Sequence, residues 1–408
     1  MNKSLIVIYA AVLLNAAGIG LIFPILPTLL QDLTGTTEVA PYIGVLTAIY
    51  AVMQFFFAPV LGALSDRLGR RPVLLVSLAG AAADYLFLAF APHLWMLVVG
   101  RALAGLTGAT SAVAAAYITD ISQESQRAQR FGLLNAMFGA GFIVGPVIGG
   151  VLGDYWVRLP FLAAALLNGV NLLLAFLVLP ETRHAKGGRI DLAALNPLRP
   201  LRWAFSMKSL MPIVLVFFLF SAVGEAYGVA WALWGHAAFG WNGLMIGLSL
   251  GTFGLFQMLT QAFLPGPAAK LFGERRAVLI GIACACVALA VMAFANQTWM
   301  VFAVMPLFAL AGIGVPTLQS LASRQVTDDL QGQFQGVLAS AVSMASIVAP
   351  LFFSSMYFIF EAQWPGAIWL WVVLLYSIGA TLVLTLRFKP IHPQPNVTRG
   401  DMSTPAHP

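Results

Sequence analysis

Two acidic side chains stand inside long apolar stretches of this 408-residue chain. Asp84 lies in Ala81-Ala82-Ala83-Asp84-Tyr85-Leu86, and Glu225 in Gly224-Glu225-Ala226-Tyr227-Gly228. A carboxyl held in a low-dielectric medium can bind and release a proton near neutral pH, or attract a cationic group. Arg101, in the following apolar stretch, sits at a depth similar to that of Asp84, so adjacent helices can bring the two together. A paired Asp84 stays ionised and serves structure or gating; an unpaired one is a proton carrier, and both readings stay open. Glu225 has no evident cationic partner within a span, which makes it a functional-site candidate by default.

Other polar groups interrupt the apolar runs: Asn15, Tyr50, Gln54, Tyr227, Trp231, Gln257, Gln261 and Gln319. Polar side chains in apolar helices face the protein interior rather than lipid, and aromatic rings suit planar or amphipathic ligands. These residues are candidate contacts to a small-molecule substrate. Trp234 and Trp241, near span ends, read equally well as interface anchors. No nucleotide-binding loop, paired-histidine metal site or nucleophile motif is present, so no enzyme activity, metal or cofactor is expected. Cys284 and Cys286 lack metal or disulfide spacing and read as buried packing residues.

Such side chains need a membrane around them. Hydrophobic residues make up 60% of the chain and charged residues 9%. That excess of apolar surface must face lipid. Long, near-continuous blocks such as Trp369 to Leu386 indicate helices rather than alternating barrel strands. At about 20 residues per span there is room for roughly twelve helices. The predicted spans are 5–30, 41–64, 73–92, 95–117, 131–153, 159–180, 209–235, 243–265, 276–295, 298–320, 335–358 and 366–388. The net charge of +6 is concentrated in alternate loops, the positive-inside pattern, which puts both termini in the cytoplasm and argues against nucleic acid as a partner. The first span has no clean cleavage site and reads as a retained helix rather than a signal peptide.

The chain reads as residues 1–180 and 209–389, six spans each, joined by a cytoplasmic linker over 181–208 and followed by a disordered tail over 390–408. A short interfacial helix is expected near 196–204. The halves echo each other: Gly69-Arg70-Arg71-Pro72-Val73-Leu74 resembles Glu274-Arg275-Arg276-Ala277-Val278-Leu279. Two such halves place a substrate site between them near the bilayer midplane.

Two motifs carry mechanics. In Gly62-Ala63-Leu64-Ser65-Asp66-Arg67-Leu68-Gly69-Arg70-Arg71-Pro72, the charges must lie at a membrane surface. Asp66 can pair with basic side chains or a helix N-terminus. Arg67, Arg70 and Arg71 can bridge to acids at other helix ends, including Asp120. With Arg101 these form the expected gating set, their contacts breaking as the cytoplasmic side opens. In the fifth span, Gly132, Gly141, Gly145, Pro146, Gly149 and Gly150 make a small-residue face and a bend for close helix packing.

The spacing G-x-x-x-D-R-x-G-R-R resembles the signature between helices two and three of major facilitator superfamily transporters, and the fifth-span pattern resembles that of its antiporter branch. Asn15-x-x-Gly18-Ile19-Gly20-Leu21-Ile22-Phe23-Pro24-Ile25-Leu26-Pro27, Asp84-Tyr85, Gly100-Arg101, Thr107-Gly108-Ala109-Thr110 and Phe239-Gly240-Trp241-Asn242 look like the bacterial tetracycline efflux proteins over nearly the whole chain. The resemblance implies an all-α major facilitator fold of twelve helices in two pseudo-symmetric halves. It implies an inner-membrane antiporter that exchanges protons for amphipathic drugs, acting by alternating access with lipid, protons and a small-molecule substrate as its only partners, and working as a monomer. It also exposes departures. The family usually has Asp at the positions of Asn15 and Ala285, His at that of Gln257 and Gln at that of Glu225. The three lost groups leave Glu225 as the carboxyl gained. The alternative reading is an exporter of an endogenous metabolite such as a siderophore.

Overall fold

The computed structural model describes residues 3–182, 211–323 and 331–385. The expected linker and its interfacial helix, apart from residues 181–182, and the expected tail lie outside the described residues. Among the described residues, all regular structure is helical, and twelve helices are long and apolar enough to cross a membrane. They are α1 (Lys3–Ile22), α2 (Ala40–Leu68), α3 (Arg70–Phe90), α4 (Leu94–Ile121), α5 (Glu124–Tyr155) and α6 (Leu159–Val178) in one half. In the other are α7 (Met211–Phe239), α8 (Gly243–Phe263), α9 (Glu274–Phe294), α10 (Thr298–Ser320), α11 (Phe334–Phe360) and α12 (Ala367–Thr385).

Several boundaries depart from the sequence reading. The first predicted span is two helices, because Phe23-Pro24-Ile25 forms a turn before a short helix, Leu26–Thr34. Pro24 brings no N–H to continue the ladder of α1. α4 is interrupted at Gly108 and Ala109, and α10 is interrupted by a 3₁₀ turn over Leu310–Ile313. The charged segment after α2 is mostly not a loop. Asp66 and Arg67 remain in α2, Arg70 begins α3, and only Gly69 separates them. Gly69 has φ 109° and ψ 160°, and Gly273, ahead of α9, has φ 79° and ψ 151°. Both conformations favour residues without a Cβ, so each half makes the same tight corner with glycine.

α5 packs two ways. A methyl on Gly141, Gly145 or Gly149 would approach the α1 carbonyl oxygens of Leu13, Ala17 and Leu21 to 2.3, 2.2 and 2.5 Å. Glycine at every fourth position thus lets the α1 and α5 backbones touch. The neighbouring face meets the other half: a methyl on Gly150 would lie 2.0 Å from the Gly243 oxygen, and one on Gly247 2.3 Å from the Pro146 oxygen. The matching contact joins α2 to α11, where a methyl on Gly44 would lie 2.1 Å from Ser354 Oγ. The tight α5–α8 approaches run from Gly150–Gly243 to Ile143–Gly254. Further toward the start of α5, Gly139 and Gly132 meet no atom within 4 Å. Gly132 therefore takes no part in the close packing expected of the motif.

Candidate functional site

α1 to α4 converge on a polar cleft lined by Asn15, Tyr50, Ser77, Asp84, Arg101 and Thr110 among others. Asp84 (2% exposed) accepts a hydrogen bond from Arg101 Nη2 in a buried ion pair. Local sequence makes the room. A Cβ on Gly100 would lie 2.9 Å from Asp84 Oδ1, and one on Gly105 would strike the Tyr50 carbonyl at 2.3 Å. The Arg101 guanidinium lies 5.6 Å from the Tyr50 ring centroid. Gln54 Nε2 donates to the Gly108 oxygen at 3.0 Å and to Tyr50 Oη at 3.3 Å, tying α2 to the interruption in α4. Asp84 Oδ1, Arg101 Nε and Ser77 Oγ are buried without hydrogen-bond partners among the described residues. Sequence reasoning allowed two states for Asp84, and the geometry realises the paired one.

Across from this cleft, α7 carries Glu225. Its Oε1 accepts a hydrogen bond of 2.6 Å from Ser346 Oγ on α11, and no cation pairs with it among the described residues. Tyr50 lies within electrostatic reach of both Arg101 and Glu225. The charges around the centre are thus a neutralised pair on one side and a lone carboxyl on the other.

Not every candidate joins this centre. Tyr227 and Trp231 turn into the second half. Tyr227 packs on Phe308 at 5.1 Å and stacks on Trp369 at 5.6 Å. Trp231, 2% exposed, donates to Ser249 Oγ at 2.8 Å. Trp231 is therefore a wall residue rather than an exposed contact. Trp234 (1% exposed) and Trp241 (3%) belong to the same buried cluster and are not interface anchors. Two residues apart on a helix, Glu225 and Tyr227 point in different directions, and packing decides which one faces the centre. Gln257 packs against Gly312, with its Oε1 buried and unpaired. Gln261 is exposed near the end of α8, and Gln319 donates to Gln335 at 3.3 Å between exposed side chains. Ala285, where the resemblance places an acid, is fully buried.

At the end of the bundle where α2 meets α3, Arg70 is the hub. It contacts Asp66 at 2.7 Å, Asp120 at 3.0 Å and Ser65 Oγ at 2.9 Å. Two expectations for this cluster are corrected. Among the described residues Arg71 reaches no acid with its side chain; it donates to the Phe176 carbonyl and lies 5.4 Å from the Phe176 ring. Arg67 is exposed and makes no ion pair among the described residues. The N-terminus of α3 is capped by Glu181, whose carboxylate accepts the Arg70 N–H at 2.8 Å and the Arg71 N–H at 3.1 Å. An anion stabilises those otherwise unpartnered donors. Glu181 was legible only as a charge beginning the linker.

The whole chain can be compared with known proteins on this footing. The family model described as Major Facilitator Superfamily matches residues 8–237 and 213–405. The chain belongs to the Major Facilitator Superfamily. It is 48% identical to the class C tetracycline resistance protein of Escherichia coli over 94% of this chain and 95% of that protein. It is 44% identical to the class G protein of Vibrio anguillarum, over 93% of this chain and 96% of that one. Among solved structures, the nucleoside transporter NupG superposes with a TM-score of 0.78 at 12% identity, covering 94% of this chain and 99% of that one. A bacterial homologue of the lysosomal transporter Spinster, in an inward-facing and unoccupied conformation, also gives 0.78, at 15% identity, covering 95% of this chain and 98% of that one. These two likenesses concern the fold alone. The family match, the relatives and the twelve helices long and apolar enough to cross a membrane make this superfamily member a multi-pass membrane protein.

Proposed function

We propose that this superfamily member exports amphipathic, tetracycline-like small molecules from the bacterial cytoplasm in exchange for protons. Both termini lie in the cytoplasm, and the monomer is the working unit. The observation that carries the reading is the Glu225 carboxylate, which has no cation paired with it among the described residues and lies within electrostatic reach of Tyr50 in the cleft that holds the neutralised Asp84–Arg101 pair. A carboxyl without a cation can hold either a proton or a positively charged substrate group, and competition between the two couples their movements. Arg101 holds the charge of Asp84 in place, so Asp84 supports the cleft and Glu225 exchanges the proton. Asn15, Tyr50 and Gln54 line or brace the path on the first half. The class C and class G relatives are tetracycline resistance proteins, which supports this substrate class.

The test is proton release from purified protein on adding tetracycline with Mg²⁺. Release from the parent and from Asp84→Asn, but not from Glu225→Gln, is the expected result. Release that survives Glu225→Gln and disappears in Asp84→Asn would move coupling to α3. A second reading, export of an endogenous metabolite, draws on the departures at Asn15, Gln257 and Ala285. It predicts little resistance to tetracycline in cells, together with flux of a native secreted compound in sealed vesicles.

A further inference from the structure

The start of α8 is finished by the other half of the protein. Its first three backbone N–H groups have no partner within the helix and need acceptors. Asn242, the N-cap, accepts the Met245 N–H at 3.0 Å through Oδ1. The remaining two belong to Asp154, at the far end of α5: Oδ1 accepts the Gly243 N–H at 2.9 Å and Oδ2 the Leu244 N–H at 3.0 Å. One carboxylate thus bridges the halves through two charge-assisted bonds at the positive end of a helix. The fit is specific to glycine. A methyl on Gly243 would lie 2.8 Å from Asp154 Oδ1, and one on Gly150 2.0 Å from the Gly243 oxygen.

Chain topology sets this contact at the same end of the bundle as Gly44 and Ser354. α5 ends there and α8 begins there, as α2 begins and α11 ends. The halves touch through α5–α8 and α2–α11, and both pairs must part at this end if access is to switch sides. We propose that Asp154 is a positioning residue that latches this end closed, and that its release from α8 accompanies opening toward the side of the membrane opposite the Arg70 cluster. Separation leaves two helix N–H groups and one carboxylate to water. The latch therefore sets the balance between two access states and touches no substrate.

The latch rests on the transporter reading only for its role in the cycle, and its test requires no substrate. Ser354, 2% exposed between α2 and α11, serves as the reporter. Ser354→Cys is placed in protein carrying Cys284→Ser and Cys286→Ser, and its reaction with a maleimide is timed in detergent. Adding Asp154→Ala is expected to speed labelling about tenfold, equivalent to about 1.4 kcal/mol of lost preference for the closed state. Asp154→Asn, which keeps one acceptor oxygen, gives a smaller rise and carries the test by itself if the alanine variant does not stay monodisperse. Asn242→Ala, which removes the cap made within the same half, leaves the rate near that of the parent. Unchanged labelling in both Asp154 variants would overturn the latch. So would an equal rise in Asn242→Ala, because the effect would then be fraying of α8. Labelling that behaves as expected in a protein that releases no protons and moves no tetracycline would reject the transport reading and leave the latch standing.

Discussion

Arg71 and Arg275 make the same contact in opposite halves of the molecule. Arg71, in the first turn of α3, donates to the Phe176 carbonyl near the end of α6; Arg275, in the first turn of α9, donates to the Leu384 carbonyl near the end of α12. In each case Nε is buried without a partner among the described residues. The internal repeat therefore extends beyond backbone shape to how the third helix of each half is fastened to its last.

Each fastening should stabilise its own half. Arg71→Ala and Arg275→Ala are each expected to cost about 1.5–3 kcal/mol, the range for hydrogen bonds from charged groups. The lysine substitutions should lose less, since an ammonium can still donate to a carbonyl. Thermal unfolding of the purified variants provides the comparison. Equal stability of the alanine variants and the parent would remove the contact from the list of supports.

The Arg70 hub should be unequal in its spokes. Asp66 is 55% exposed and Asp120 24%, so water screens the first pair more than the second. Asp120→Asn is expected to slow transport more than Asp66→Asn. A double-mutant cycle between Arg70 and Asp120 should give a coupling of about 1.5–3 kcal/mol. A coupling near zero in unfolding would mean that the contact does not brace the first half.

The glycines of α5 should separate into two classes. A methyl at Gly145 or Gly150 meets backbone oxygen, which has no side-chain rotation to relieve it. Alanine there should cost about 1–3 kcal/mol, as overpacking does, and should abolish transport. Gly132→Ala and Gly139→Ala, with open space around them, should be tolerated and slightly stabilising through helix propensity. Resistance assays with expression controls distinguish the two classes.

Glu361, in the turn after α11, titrates above the ordinary glutamate range, first because it is partly buried and second because Glu38 lies near it. The folded protein therefore holds this proton more tightly than the unfolded chain does. The contribution of this group to stability is fully present below the usual glutamate value of about 4.3 and is lost as pH rises through the folded-state value. Glu361→Gln should raise the unfolding temperature at neutral pH and leave it unchanged at about pH 4. Glu38→Gln should act in the same direction and more weakly. A Glu361→Gln protein no more stable than its parent at neutral pH would contradict the assignment.

Much of this arrangement could be read from the chain. The span count follows from apolar runs that tolerate few charges. The Asp84–Arg101 pair was legible because its members sit at matching depths in consecutive spans. Orientation within a helix was not. Tyr227 and Trp231 look like cavity residues by type, yet the rings of Phe308 and Trp369 draw them into the second half. Asp154 escaped notice because its partners are main-chain groups 89 and 90 residues away, with no side-chain signature. The α2–α3 corner was misread as a loop because charged residues suggest solvent, whereas Asp66 and Arg67 simply extend α2 beyond its apolar part.

The interruption of α4 at Gly108 and Ala109 divides one membrane span into two levers with separate loads. The lever before it carries Arg101 and the fixed charge pair; the one after it carries Asp120 and the Arg70 contact. Gln54, bonded to the Gly108 carbonyl, stands at the fulcrum. The Arg70 contact and the buried charge pair are thus carried by separate segments of one span.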